Sequence, residues 1–171
     1  TISAGVSIAF AMECYEKELI TLQETGGIDL TWGNANGIVE LVGLMGRMEG
    51  FGRTLADGVK VASKRIGRGS EHYAMEVKGL ELPAHEPRRF KSMGVEYATA
   101  NRGACHMQGL ANCIERGLLM PEYDLTQALD GFTTEGKPEV AILYQNLCSA
   151  LDAIGLCKFP VFGVTSFDLI A

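Results

Sequence analysis

The sequence predicts a mainly α-helical, multihelical fold with one short strand pair. Three observations carry that expectation. Apolar residues recur at three- and four-residue spacing, as in Ile38, Leu41, Val42, Met45 and Met48. A single stretch, "HYAMEVKGLEL" at 72–82, switches to the two-residue alternation of a strand. No internal repeat or low-complexity tract points to a solenoid or a disordered linker.

The elements follow in order. Residues 7–22, apolar and then charged, predict a first helix ended near Gly26 and Gly27. "DLTWGN" at 29–34 reads as a turn, with Asn34 the N-cap of the helix that carries Ile38 to Met48. "GFGR" at 50–53 is expected to break that helix, and Thr54 to cap another with an apolar face of Leu55, Val59, Ala62 and Ile66. In 72–82, Tyr73, Met75 and Val77 alternate with His72, Ala74, Glu76 and Lys78, and Pro83 and Pro87 then impose an irregular stretch. A helix from Val95 to about Asn101 is broken by Gly103, and a loop or short helices run on to Gly131. Pro138 suits the first turn of a last helix, striped by Val140, Leu143, Tyr144, Leu147 and Leu151.

Composition narrows the function classes. A chain of 171 residues, 47% hydrophobic, can bury a sizeable core. A net charge of -6 with no basic run to offset it argues against a phosphate-backbone binder. No apolar segment reaches the roughly 18 residues of a membrane span, and "TISAGVSIAFAME" lacks the cationic start of a signal peptide. Five cysteines, irregularly spaced and without a C-x-x-C pair, speak against a disulfide framework and for a reducing, cytoplasmic location. The 21 glycines exceed the usual share of about 7% and suggest close backbone approaches, frequent helix ends and a wrapped ligand. A start without Met and a stop at "SFDLIA" suggest a piece of something larger.

"YATANRGACHMQG" at 97–109 places Arg102, Cys105 and His106 around a glycine in an apolar setting. His106 is open to two readings: a proton donor or acceptor near neutral pH, or a structural hydrogen-bonder. Arg102 could fix an anion. Cys105 is a buried thiol or, with His106, a nucleophile pair, although sequence neighbours point different ways. A zinc site from Cys105, His106 and Cys113 lacks the usual pair of close cysteines. "HEPRRFKS" at 85–92 is a cationic cluster that either faces solvent or meets a ligand phosphate. His72 and His85 are expected to do no chemistry, Glu13, Glu16 and Glu18 to form a solvated face, and Trp32 to pack its turn.

The most specific stretch is "ALDAIGLCKFPVF" at 150–162. Asp152 falls near a helix C-terminus, where the dipole opposes a carboxylate, so something must offset it, and donors on a ligand would do so. Gly155 suits a left-handed cap. Leu156 and Cys157 would follow in the turn, their N–H groups and thiol facing whatever the carboxylate binds. The alternative is a Schellman-type stop with a buried cysteine.

"TISAG", "IAFAMECYEKELI", "DLTWGNANGIVELV", "LADGVKVASKRIG", "AMEVKGLELPAHEPR", "YATANRGACHMQG" and "DAIGLCKF" occur in this order. Together they resemble the C-terminal part of the aldehyde:ferredoxin oxidoreductase family, the tungsten or molybdenum bis-pterin enzymes, over essentially the whole chain. "DAIGLC" fits that family's D-x-x-G-L-C motif, and "KGLELPAHEPR" and "RGACH" are nearly as specific. The resemblance implies the family's helical C-terminal region over residues 1–171, divisible into subdomains 1–82 and 83–171, with the N-terminal pterin-phosphate domain absent. It implies that Asp152 and Leu156 bind one pterin, and that Cys157 is the fourth ligand of a 4Fe–4S cluster and lies against that pterin. The three other ligands would come from an upstream C-x-x-C-x-x-x-C run. A cysteine touching both centres would make an electron exit.

By the same resemblance His106 corresponds to the histidine near the metal, giving a hydrogen bond or proton to the substrate oxygen. The family's second motif, D-x-x-G-L-D, and its glutamate base would precede Thr1. The implied reaction takes a small aldehyde and water to a carboxylic acid, with electrons passing through the cluster to ferredoxin. The resemblance allows either tungsten or molybdenum and a homodimeric parent. Rival readings are a non-catalytic helical interaction domain with Cys157 merely buried, a thiol enzyme using Cys105 with His106, and a family relative that reduces an aromatic thioester.

Overall fold

The structure is a computed structural model and describes residues 2–162. Thr1 and the terminal "SFDLIA" lie outside the described residues. The fold is mainly helical, with one two-stranded sheet among the described residues. The chain divides into two compact units, Thr1–Pro83 and Ala84–Ala171.

The first unit opens on α1 (Ile2–Glu16), whose central turn buries Ser7, Ile8, Phe10, Ala11, Met12 and Cys14. A helix apolar on several sides belongs inside its unit, and α1 packs with Ile20, Ile28, Leu30, Leu41, Phe51, Leu55, Val59 and Ala62 in one core. The helix begins earlier and stops sooner than the 7–22 expected. Glu18 takes a left-handed φ of 57°, and the Leu19 N–H returns to the Cys14 carbonyl at 2.8 Å, closing the helix before the charged segment. Trp32 does not pack its turn as expected. It is 52% exposed, and its indole N–H donates to Glu16 Oε2 at 2.5 Å.

Asn34 caps α2 (Ala35–Arg47) as the sequence indicates, its Oδ1 accepting from Gly37 N–H at 3.2 Å. "GFGR" does not simply break the helix. It forms most of α3 (Gly50–Leu55), which turns back onto α2 so closely that a Cβ on Gly52 would lie 2.3 Å from the Leu44 carbonyl carbon. The glycine therefore serves a helix crossing. Thr54 belongs to α3 and caps nothing. The start of α4 (Val59–Ile66) follows Gly58, which has no side chain to cap it, and the buried Glu81 carboxylate accepts the Val59 N–H at 2.8 Å instead.

That carboxylate comes from the strand pair. β1 (Glu76–Val77) and β2 (Leu80–Glu81) are antiparallel, Glu76 opposite Glu81 and Val77 opposite Leu80. Lys78 and Gly79, both at positive φ, form the two-residue turn such a hairpin needs. At the start of the expected strand, His72 and Tyr73 belong instead to a 3₁₀ turn, Ser70–Tyr73.

The second unit is built on α5 (Lys91–Thr99), α6 (Asn112–Glu115) and α7 (Lys137–Ala153). α5 starts before Val95, its first N–H bonded to the Gly131 carbonyl at 3.0 Å. α7 begins where Pro138 indicates and buries Val140, Ala141, Tyr144, Leu147, Cys148 and Leu151, with Leu143 half-buried beside them. This stripe closes a core with Leu110, Ala111, Cys113, Ile114 and Met120. At the start of α7 Lys137 pairs with Glu115 at 2.8 Å, the two side chains 1% and 0% exposed. Ser92 Oγ and the Asp130 carbonyl complete that polar cluster.

Candidate functional site

α7 ends in a Schellman motif. Gly155, at φ 74°, donates its N–H to the Asp152 carbonyl at 3.2 Å, and Leu156 N–H reaches the Leu151 carbonyl at 2.9 Å. The Leu156 N–H is therefore consumed by the helix end and does not face a ligand as expected. Beyond Leu151 every residue from Asp152 to Cys157 is exposed. The stop is thus of Schellman type, but its cysteine is exposed; Cys14, Cys113 and Cys148 are the buried ones.

The next residue turns inward. Lys158 is 6% exposed, and its ammonium donates to Asp152 Oδ2 and to the Met107 carbonyl, both at 2.7 Å. The cation offsets the helix dipole that opposes the Asp152 carboxylate. The counter-charge sought in a ligand is already present in the chain, although the Asp152 side chain remains 55% exposed.

Met107 belongs to the 3₁₀ turn His106–Gln108. The His106 ring lies against that of His85, centroids 4.7 Å apart. His85 is itself held by Asn112 Nδ2, 3.3 Å from its Nδ1, and its carbonyl accepts from the Tyr97 hydroxyl at 3.1 Å. Burial lowers the pKa of both imidazoles; Arg116 depresses His85 further, and His85 depresses His106. Both shifts favour the neutral imidazole, which donates at one nitrogen and accepts at the other. His85, expected to be inert, is part of this group, whereas His72 is exposed.

Glu96 underlies the turn from α5. It is wholly buried, and its Oε2 accepts the Ala111 N–H at 3.1 Å. The N–H groups of Gly109 and Leu110 also face the carboxylate, and Oε1 has no hydrogen-bond partner among the described residues. Burial pushes the Glu96 pKa up to about 7, against the pull of these amides and of Lys158. A Cβ on Gly109 would lie 2.6 Å from the carboxyl carbon, so the backbone passes over Glu96 where only glycine fits. Cys148 of α7 donates from its thiol to the Gly109 carbonyl at 3.3 Å, a second tie between helix and loop.

The remaining candidates separate. Cys105 Sγ meets the Arg102 guanidinium at 3.1 Å, which joins the thiol to Arg102 and not to His106. Among the described residues no three His, Cys, Asp or Glu side chains converge to hold a metal ion, Cys105, His106 and Cys113 included. In the cationic loop, Arg88 pairs with Glu86 at 2.8 Å, and Arg89 lies over the rings of Phe90 and Phe132. No helix among the described residues is long and apolar enough to cross a membrane.

The family model and the most similar curated relatives point to one family. The family model described as aldehyde ferredoxin oxidoreductase, domains 2 and 3, matches residues 1–170. The tungsten-containing aldehyde ferredoxin oxidoreductase of Pyrococcus furiosus is 36% identical over 98% of this chain and 27% of its own length. The Pyrococcus horikoshii protein of the same name is 37% identical, with the same two coverages. The WOR-like subunit of an aliphatic sulfonate oxidoreductase from P. furiosus is 31% identical over 61% of the chain and 18% of its own length. The active-site complex of a benzoyl coenzyme A reductase, solved with 1,5-dienoyl-CoA, shares the fold with a TM-score of 0.64. It has 19% identity over 91% of this chain and 28% of that one. The chain belongs to the aldehyde ferredoxin oxidoreductase family, and it spans 27% of the length of the curated aldehyde ferredoxin oxidoreductases it matches.

Proposed function

We propose that the chain forms part of the cofactor pocket of a cytoplasmic oxidoreductase that converts a small aldehyde and water to a carboxylic acid and passes the electrons to ferredoxin. The observation that carries this reading is the exposed Asp152–Cys157 turn, tied through Lys158 to the His106 turn. The donors fit a tungsten- or molybdenum-pterin and a 4Fe–4S cluster shared with the rest of a longer protein. Asp152 offers a half-exposed carboxylate to N–H donors of a pterin, and Leu156 an apolar side chain to its face. Cys157 offers an exposed thiol, which as thiolate is the ligand such clusters take. A lone cysteine cannot hold a cluster, so the other thiolates would come from outside the described residues. When bound, the heavy metal would supply a Lewis acid and electron sink, and the cluster a one-electron exit.

The chain's own residues would position the substrate and take up a proton. His106, whose neutral form burial favours, would donate a hydrogen bond to the substrate oxygen from one ring nitrogen or accept a proton at the other. His85 limits how easily His106 gains a second proton, and Glu96 shapes the backbone behind it.

Elemental analysis of the full-length protein, purified without oxygen, tests the reading. Roughly one tungsten or molybdenum and about four irons per chain are expected, together with aldehyde-dependent reduction of ferredoxin. A folded protein free of both heavy metal and iron would refute it. His106→Asn is expected to lower turnover by about 10²-fold or more while metal content holds.

A further inference from the structure

Lys158 is a buried cation between two accessible turns. One of its hydrogen bonds reaches back 51 residues to the Met107 carbonyl, next to His106, and the other holds Asp152, where the exposed turn begins. Burying an ammonium is costly unless its charge is paired and its protons are bonded. Here the paired carboxylate is 55% exposed, a group that water alone could solvate. An apolar side chain could fill the same space between turn and helix without that cost. What a cation adds is direction, because it draws one carboxylate oxygen and one carbonyl to the same point. Its charge is also felt by Glu96 beneath the His106 loop and by Cys148 on α7.

We propose that Lys158 is the positioning residue of this site: it holds the His106 turn and the Asp152–Cys157 turn at one fixed spacing and orients the Asp152 carboxylate for its ligand. The role rests on the reading that both turns serve one pocket. Lys158 takes no part in the chemistry; it sets the distance across which the chemistry occurs.

The test uses the full-length protein, purified without oxygen, as wild type, Lys158→Met and Lys158→Gln. Hydrogen–deuterium exchange is read on peptides covering 104–110 and 152–158, with 91–99 of α5 as an internal reference. In Lys158→Met both turn peptides should exchange about tenfold faster or more, with the reference unchanged, because each loses the bond that closes it. Turnover should fall by about 10²-fold, the scale of a small misplacement, while tungsten or molybdenum and iron stay bound. Lys158→Gln keeps a neutral donor but removes the charge, so 152–158, which loses its ion pair, should loosen more than 104–110; it also serves if the Met variant does not fold. Wild-type exchange in both peptides, or wild-type turnover with both loosened, overturns the proposal. Should the wild type carry no heavy metal and no iron, the pocket reading falls and takes the positioning role with it. A loaded wild type with unresponsive peptides removes Lys158 alone.

Discussion

The imidazole rings of His85 and His106 lie 4.7 Å apart, centre to centre, at an interplanar angle of 35°. Burial lowers both pKa values, so below the unfolded value of about 6.5 the unfolded chain binds protons that the folded one refuses. The stability this contributes is full above that value and is lost as pH falls through the folded pKa values. Replacing His85 by Phe should move the His106 midpoint up, toward the ordinary range. Exchange of the imidazole C2 hydrogen, followed residue by residue with mass spectrometry, gives that midpoint. A His106 midpoint that does not respond would uncouple the pair.

Glu96 has the opposite sign. Its pKa is raised to about 7, so the folded state binds a proton that the unfolded chain has released. Its contribution is therefore full below an unfolded value of about 4.3 and is lost as pH rises toward 7. Glu96→Gln should gain thermal stability relative to wild type between about pH 5 and about pH 8. A constant difference in unfolding midpoint at the two pH values would contradict the buried, protonated carboxyl.

Lys137 and Glu115 form a pair that water does not reach. Lys137→Met should destabilise the second unit by about 3–5 kcal/mol, the cost of leaving a buried carboxylate without its cation. Adding Glu115→Leu should recover most of the loss, since it removes the orphaned charge. Denaturant unfolding of the single and double variants measures both, and equal losses in the two would show that the pair is not the cause.

Cys157 is exposed, Cys105 half-buried, and Cys14, Cys113 and Cys148 buried. Burial also raises the Cys148 pKa to about 12 and the Cys113 pKa to about 11, which keeps both as unreactive thiols. Protein stripped of metal should therefore be alkylated first at Cys157, and metal-loaded protein should be protected there. Cys157→Ser should alter the cluster spectrum while changing fold stability by less than about 0.5 kcal/mol. Rapid labelling of the loaded protein at Cys157 would remove it from the ligand set.

Local signals were legible where the cause is local. Asn34 and Gly155 mark helix ends through their own side chain or φ, and Pro138 marks the start of α7. The sequence missed what the chain supplies from a distance. Thr54 resembles a cap, yet the cap of α4 is Glu81, 22 residues beyond Val59. "GFGR" resembles a breaker because glycine both ends helices and lets them cross. The site divides along the same line. The Asp152–Cys157 motif is contiguous and readable, whereas Lys158 is tied to the Met107 carbonyl 51 residues away, and Glu96 is defined by the backbone of Gly109 to Ala111. His85 joins the site through distant partners, its ring against His106 and Asn112 and its carbonyl under the Tyr97 hydroxyl, which no local pattern in the Pro83–Pro87 stretch announces.

The Schellman stop has a mechanical consequence. With Leu156 pinned to Leu151 and Asp152 pinned to Lys158, the exposed turn cannot rotate independently of its helix. α7 is a spindle of 17 residues, about 25 Å long, seated at one end in the Lys137–Glu115 socket and carrying Asp152, Leu156 and Cys157 at the other. A slip in the socket would swing all three side chains in unison, so that carboxylate, apolar contact and thiol would lose alignment together and not one at a time.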